Sequence, residues 1–448
     1  MISRLLGLLH IRTGEGRRLG LMATLLFLLI AASTLIKILR DSLFLGHHAV
    51  SELPYLYILV ALIAGVVIAA YARHTPHLPL VQLILATNMV IIIAVTGFWF
   101  LFSYGNPEWG HYAFYIWSAM ASVISVSQLW TLANQLFDHD EGTRLFGLLA
   151  AGGTIGGIAA GFGAQWTLRY SFASNHLLWC VSGIYLAASL LLFILRPHLS
   201  ETGLDKGMAS RDEPEPRQDE NVFGHLSNSR YLKTIAMVIL LSVVISTLFD
   251  FELKTAAKEI YPSKAALALF FSSYYGWLSV ATLFSQVILT GRTLRRFGLG
   301  VSLYLTPATL LTGALSIMIW PGLLAPALSR IADATLRNSI HRSGMEILYM
   351  GVPVKLRRAI KTFLDVVVER LGDAGAGLII LLLSLSSTAS YRSYVHFVCA
   401  GLVLLWIALI RSLRRGYAES LRQPTGQVER ALPSESAVTS RARQLLGK

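Results

Sequence analysis

The sequence predicts an all-α membrane protein with about twelve transmembrane helices in two pseudo-symmetric six-helix bundles. Three observations support this fold class. Of 448 residues, 54% are hydrophobic and only 14% are charged, whereas about a quarter of the residues in a soluble domain are charged. Apolar runs recur along the chain, and a charged motif recurs once with its signs exchanged. The composition therefore places the chain in a lipid bilayer.

The apolar runs reach the length of roughly 20 residues that crosses a bilayer as a helix. The predicted spans are 20–46, 53–72, 78–103, 111–136, 144–167, 175–195, 231–256, 265–290, 298–320, 322–348, 361–388 and 393–412. Polar residues interrupt the seventh and tenth runs, so these two have the weakest pattern.

A polar, acidic and proline-containing segment separates the sixth run from the seventh, and it has little to bury. The predicted parts are a basic lead-in (1–19), an N-terminal bundle (20–196), a linker (197–229), a C-terminal bundle (230–412) and a loosely ordered tail (413–448). Six spans on each side of a long middle loop are typical of the major facilitator architecture, whose halves are parallel repeats.

The net charge of +13 follows membrane topology. Lysine and arginine concentrate in alternate loops, as at Arg73, Arg144 and Arg342, while the opposite loops hold only Arg169, Lys258, Lys264 and Arg392. This positive-inside pattern predicts that both termini are cytoplasmic. Because topology explains the basicity, we expect no nucleic-acid partner.

The recurring motif is a pair of opposite charges one helical turn apart, Lys37 with Asp41 and Asp250 with Lys254. The differences 250 − 37 and 254 − 41 both equal 213, and Thr-Leu precedes each pair. At this spacing the two charges of a pair share one helix face and can neutralise each other in part. Charges in a transmembrane helix are costly and usually functional. We expect those of spans one, seven and eleven to converge on a central aqueous chamber.

Further ionisable and polar residues extend this set. Lys361, Asp365 and Glu369 are spaced as a stripe on one face of span eleven, and Glu252 follows Asp250 in span seven. Arg40 either joins the chamber or reaches out to the membrane interface. Near the junction of spans four and five, Glu141 and Arg144 either pair across the halves as a gate or form a solvated loop, and Asn134 precedes them as a polar group at the membrane boundary.

Span five is rich in glycine, including Gly152, Gly153, Gly156, Gly157 and Gly161. These residues predict either a sliding contact between the halves or ordinary close helix packing. No strand precedes them and no GxxxxGK[ST] motif occurs, so they do not form a phosphate-binding loop. Neither a metal-ligand spacing nor a nucleophile–base arrangement stands out. We therefore predict no metal, no cofactor and no enzyme activity.

Several short stretches resemble the ATP/ADP translocase family of bacteria and plastids: Arg40–Leu45 (RDSLFL), Leu53–Tyr57 (LPYLY), Leu129–Asn134 (LWTLAN) with the glycines beyond it, and Lys361–Val368 (KTFLDVVV). The resemblance implies a major-facilitator-like fold, a bacterial inner membrane location and exchange of ATP for ADP or related nucleotides. It also implies that Lys37, Glu141, Asp250 and Lys361 are the important charged residues, with aspartate at 250 where relatives often have glutamate.

Three functions remain open. In the first, Lys37 and Lys361 bind the phosphates of an anionic substrate, with Asn134 and Asp250 also at the site; Asp41, Lys254, Asp365 and Glu369 then exchange partners as the carrier moves. In the second, the protein is a proton-coupled carrier of another organic anion, and Asp250 or Glu252 takes the proton. In the third, it is a membrane scaffold or sensor. The oligomeric state is left open, with a monomer as one option.

Overall fold

The computed structural model describes residues 15–74, 79–137, 139–170, 174–201, 229–320, 322–349, 352, 354–386 and 391–431, and most of these residues are helical with no strand among them. The helices are α1 Glu15–His47, α2 Leu53–His74, α3 Leu80–Phe100, α4 Glu108–Leu136, α5 His139–Arg169, α6 Leu177–Glu201, α7 Arg230–Ile260, α8 Lys264–Phe284, α9 Thr290–Ile319, α10 Leu324–Leu336, α11 Arg342–Tyr349, α12 Val354–Phe363, α13 Glu369–Ser386 and α14 Tyr391–Ala431. Short π-helical turns, Ser285–Leu289, Arg337–His341 and Leu364–Val368, join α8 to α9, α10 to α11 and α12 to α13.

Ten helical segments in the described part of the chain are long and apolar enough to cross a membrane. The two predicted spans that miss this criterion are 322–348 and 361–388, which correspond to α10–α11 and α12–α13. Each of these two is divided by a π turn and carries several charged residues. Both departures from a plain apolar helix thus lie in the second half, in spans that carry several ionisable groups.

The helix ends confirm the repeat that the charged motif predicts. α1 ends at His47 and α7 at Ile260, and α4 ends at Leu136 and α11 at Tyr349. Both differences, 260 − 47 and 349 − 136, equal 213, the spacing of the charged pairs. The pair α10–α11 is therefore the counterpart of α4, and the chain consists of two equivalent halves.

Several predicted boundaries are wrong, because the helices in the structure are longer than the predicted spans. The predicted loop at 291–297 lies inside α9. Helix α6 continues to Glu201, past residue 197 where the linker was predicted to begin. Helix α14 continues to Ala431, into the tail that was predicted to be loosely ordered. Arginine, lysine and glutamate are good helix formers, so a helix continues beyond the apolar stretch that defines a span. Residues 1–14, 202–228 and 432–448 lie outside the described residues.

The glycines of α5 pack against both halves. A Cβ at Gly156 would lie 2.1 Å from the carbonyl oxygen of Phe27 in α1, within the first half. A Cβ at Gly161 would lie 2.5 Å from the Cα of Gly276 in α8, in the second half. The two predicted roles, close packing and a contact between halves, are thus carried by different glycines of one helix.

We expect Gly156→Ala to destabilise the protein by about 1–3 kcal/mol, because the added methyl group meets a backbone oxygen that cannot rotate away. The measurement is the melting temperature of the purified protein in detergent. Gly147→Ala is the matched control in the same helix, since nothing lies within 4 Å of a Cβ at that position. Equal melting temperatures for both variants would contradict the close packing of α5 on α1.

Candidate functional site

The two halves meet where α1 and α7 approach each other, at equivalent positions of the repeat. The ammonium of Lys254 lies 3.3 Å from a carboxylate oxygen of Asp41, and both side chains are almost fully buried. One turn further along, Lys258 donates to the backbone carbonyl of Leu45, again 213 residues away. Because the repeat axis brings equivalent residues face to face, identical charges there would repel. The exchanged signs turn this repulsion into an ion pair.

This ion pair belongs to an alternating row of charges, here called the charge chain, which runs from α1 through α7 to α10 and the start of the π turn that follows it. Its successive distances are Arg40 Nε–Asp41 Oδ1 2.8 Å, Asp41 Oδ1–Lys254 Nζ 3.3 Å, Lys254 Nζ–Asp250 Oδ2 2.7 Å, Asp250 Oδ1–Arg330 Nε 3.5 Å, Arg330 Nη1–Asp333 Oδ2 2.7 Å and Asp333 Oδ1–Arg337 Nη2 3.3 Å. Each carboxylate therefore has two cationic partners.

Hydrogen bonds from hydroxyl groups replace part of the hydration that these buried carboxylates have lost. Tyr275 donates to Asp41 at 2.7 Å, Tyr57 donates to Asp250 at 3.1 Å, and Ser246 donates to Asp333 at 2.6 Å. The first two bonds cross from one half to the other. Buried ion pairs are tolerated when such additional hydrogen bonds satisfy the remaining lone pairs, so both halves contribute to holding the chain in place.

Lys37 differs from the other cations at this level of the bundle. Its side chain is exposed although its neighbours Ile36 and Ile38 are fully buried, so it faces a water-accessible space inside the protein. It makes no ion pair within 4 Å among the described residues. The nearby charges include Asp41 in its own helix and Arg330 and Asp250 from the other half. Its ammonium is therefore available to a ligand between the halves.

The self-neutralisation suggested by the i,i+4 spacing occurs in only one of the two pairs. Lys254 and Asp250 form it at 2.7 Å. Lys37 and Asp41 do not, because Arg40 and Lys254 occupy the Asp41 carboxylate. The alternative that Arg40 reaches the membrane interface is wrong for the same reason, since its guanidinium is bonded to Asp41 and only 16% exposed.

The site carries a positive charge excess. The charge chain contributes four cations and three carboxylates, and Lys37 adds a fifth cation. The sum, 5 − 3, is +2. Charges act more strongly in a partly dehydrated protein interior than in water, so this arrangement favours a ligand with at least two negative charges.

Glu252, the other acid of α7, lies on a different side of the helix. It is 2% exposed and lies 3.0 Å from His396 of α14, in a small pocket lined by Phe249 and Cys399. This pair belongs to the interior of the second half and not to the charge chain.

The three charged residues predicted as a stripe on span eleven have separate partners in the structure. Lys361 pairs with Glu346 of α11, Tyr349 donates to Asp365 at 3.0 Å, and Glu369 lies 3.9 Å from Arg370. The π turn Leu364–Val368 lies between Lys361 and Glu369 and contains Asp365. None of the three joins the charge chain. Span eleven nevertheless packs beside α7, where Thr247 donates to Asp373 at 2.9 Å, so its convergence with spans one and seven stays a prediction. Span ten, which was not predicted to contribute, supplies Arg330 and Asp333 to the charge chain.

The residues at the start of α5 pair within the first half. Glu141 lies 3.4 Å from Arg18, and Arg144 lies 2.9 Å from Glu15, and both of these pairs lie within the first half. Arg144 also lines a cleft of about 420 Å³ between the halves, with Gly147 of α5 facing Gln286, Asn338 and Arg342. Asn134 is exposed near the end of α4, and its side chain makes no hydrogen bond to the described residues.

Arg330, Asp333 and Arg337 were not predicted from the sequence, although a signal was present. They lie at i, i+3 and i+7 in a run that was marked only as interrupted by polar residues, and at this spacing they share a helix face. Reading the interruption as a charged stripe would have identified α10 as part of the site.

Two six-helix repeats with an ionic site between them define a membrane transporter of the major facilitator type. Solved structures agree: a nucleoside transporter superposes with a TM-score of 0.62 at 14% identity, covering 88% of this chain and 98% of that one. A bacterial homologue of the iron transporter ferroportin gives 0.61 at 16% identity, covering 90% and 99%. At these identities the likeness establishes the fold.

The chain belongs to the TLC ATP/ADP transporter family, whose model matches residues 75–320 and 309–417. It is 23% identical over 384 residues to ADP,ATP carrier protein 2 of Chlamydia pneumoniae, covering 75% of this chain and 71% of that protein. It is 24% identical to the chloroplastic ADP,ATP carrier protein 1 of Arabidopsis thaliana, covering 74% of this chain and 57% of the plant protein. The family resemblance noted in the sequence is confirmed. The protein is a multi-pass membrane transporter and not an enzyme.

Proposed function

We propose that this protein exchanges ATP and ADP, or closely related nucleotides, across the bacterial plasma membrane by alternating access. One observation carries the proposal: Lys37, deep in the bundle between the halves, is exposed and without an ion pair among the described residues, in a site with an excess charge of +2. Ammonium groups bind phosphate oxygens well. An anionic nucleotide supplies the charge that the site lacks.

The contacts between the halves support alternating access. At the end where α1 and α7 finish, Lys258 donates to the backbone carbonyl of Leu45 across the interface, and Asp41 pairs with Lys254 one turn from Lys37. Toward the other end, the cleft beside Arg144 and Arg342 lies between the halves. One closed end and one cleft are the two features that exchange in such a cycle. The positive-inside pattern assigns the cleft to the cytoplasmic side.

The charge chain also gives a reason for exchange. When Asp41 separates from Lys254, Arg40 still neutralises Asp41 and Asp250 still neutralises Lys254, so that opening leaves no buried charge alone. Lys37 has no such second partner. Without a bound anion, closing the site around it is costly, and an empty carrier moves slowly. Lys361, beside Glu346, is proposed to meet the phosphates in another stage of the cycle.

The test is uptake of radiolabelled ADP into liposomes that contain the purified protein. We expect rapid uptake when the liposomes are loaded with ATP and slow uptake when they are empty. Uptake into empty liposomes that responds only to a pH gradient would instead support the proton-coupled alternative, for which the buried Glu252–His396 pair is the candidate site. No nucleotide uptake in any condition would refute the proposed function.

A further inference from the structure

We infer that Arg330 is a second phosphate ligand, supplied by the second half of the protein opposite Lys37 in the first. The inference rests on the proposed function and assigns to the nucleotide site a residue in α10. Arg330 lies 3.5 Å from Asp250, Asp250 pairs with Lys254, and Lys254 reaches Asp41, which is one helical turn from Lys37. The two cations therefore lie near each other across the interface. Its side chain is 22% exposed, whereas the neighbouring Asp333 is 1% exposed.

The hydrogen bonds of Arg330 leave part of its guanidinium unused. Nη1 binds Asp333 at 2.7 Å. The buried Nε has no hydrogen-bond acceptor among the described residues, and its nearest carboxylate oxygen, on Asp250, lies at 3.5 Å. An unsatisfied buried donor is uncommon and requires an explanation. A ligand oxygen between the halves would provide one.

Arg330 can also turn toward a ligand at low cost to its partners. Asp250 retains Lys254 at 2.7 Å, and Asp333 retains Arg337 at 3.3 Å together with the hydroxyl of Ser246 at 2.6 Å. Neither carboxylate would be left without a cation. In contrast, Arg337 also donates to the backbone carbonyl of Ser242 at 2.7 Å, a bond that ties it to the scaffold.

The chemistry of the two cations specifies the class of substrate. A guanidinium binds a phosphate through two parallel hydrogen bonds, while an ammonium acts as a point charge. One cation from each half can hold two phosphate groups of the same nucleotide. The site therefore selects nucleoside diphosphates and triphosphates over monophosphates and nucleosides, and a bound polyphosphate links the halves.

The test is binding of ATP, ADP, AMP and adenosine to the full-length protein in detergent, comparing wild type with Arg330→Gln. We expect ATP and ADP to bind about tenfold more weakly or worse, the loss of a charge-assisted contact, with a smaller loss for AMP. Arg330→Lys keeps the charge without the fork and should fall in between. If the glutamine variant does not fold, Arg330→Lys is the variant that tests the inference.

Arg337→Gln is the matched control, because Arg337 is an arginine of the same helical span that pairs with the same Asp333. If it weakens ATP binding as much as Arg330→Gln does, Arg330 acts only by supporting Asp333 and the inference is overturned. Wild-type ATP affinity in both Arg330 variants would also overturn the inference. If Lys37→Gln still weakens ATP binding in that case, the proposed function stands. Failure of the wild-type protein to bind ATP or ADP refutes the proposed function itself.

Discussion

Replacing Lys37 by glutamine is expected to weaken ATP binding by about tenfold to a hundredfold, the loss of one or more charge-assisted contacts, and to leave thermal stability unchanged or slightly higher. The two effects separate because Lys37 has no ion pair among the described residues. Its removal orphans no buried carboxylate, and the repulsion from Arg40 and Arg330 that is lost offsets the attraction to Asp41 and Asp250 that is lost with it. Most substitutions of buried charges damage binding and stability together.

The experiment compares ATP affinity, exchange rate and melting temperature in Lys37→Gln, wild type and Lys233→Gln. Lys233 is an exposed lysine near the start of α7, and Lys254 lies 254 − 233 = 21 residues further on, roughly 30 Å along the helix. The control should match wild type in every measurement. Full exchange activity in Lys37→Gln would remove the observation on which the proposed function depends.

Replacing Asp333 by asparagine is expected to destabilise the protein by about 3–5 kcal/mol, the typical result of removing one partner of a buried ion pair. Asp333 is 1% exposed, binds Arg330 and Arg337, and accepts a hydrogen bond from Ser246. Asparagine retains the size but not the charge. Arg330 keeps Asp250 at 3.5 Å, whereas Arg337, at the junction of α10 and the π turn, loses the carboxylate with which it pairs.

Thermal melting in detergent measures this effect, with Asp373→Asn as the control. Asp373 also pairs with an arginine, Arg370 at 2.9 Å, and accepts from Thr247 at 2.9 Å, but it is 23% exposed. Water can replace its lost partner, so its substitution should cost about 1 kcal/mol or less. A melting temperature of Asp333→Asn equal to that of Asp373→Asn would show that the charge chain does not stabilise the second half.

The helical spans and the repeat could be predicted because they depend on local and periodic information. A run of about 20 apolar residues specifies a membrane helix by itself, and the separation of 213 residues between Lys37 and Asp250 is visible without coordinates. The family membership follows from similarly short stretches. The helix ends were predicted less well, since charged residues that end an apolar run do not end a helix.

The partners of the charges were decided by the tertiary structure. Spacing shows that Lys37 and Asp41 share a helix face, but it does not show that Arg40 and Lys254 take Asp41 and leave Lys37 without an ion pair among the described residues. Nor does it show that Lys361, Asp365 and Glu369 have separate partners, or that α10 supplies Arg330 and Asp333. Charge pairing depends on distances between helices that are far apart in sequence, and the energy of an ion pair falls steeply as those distances grow. The sequence alone thus determined which groups enter the membrane, and only packing determined which of them are neutralised and which lack an ion pair among the described residues.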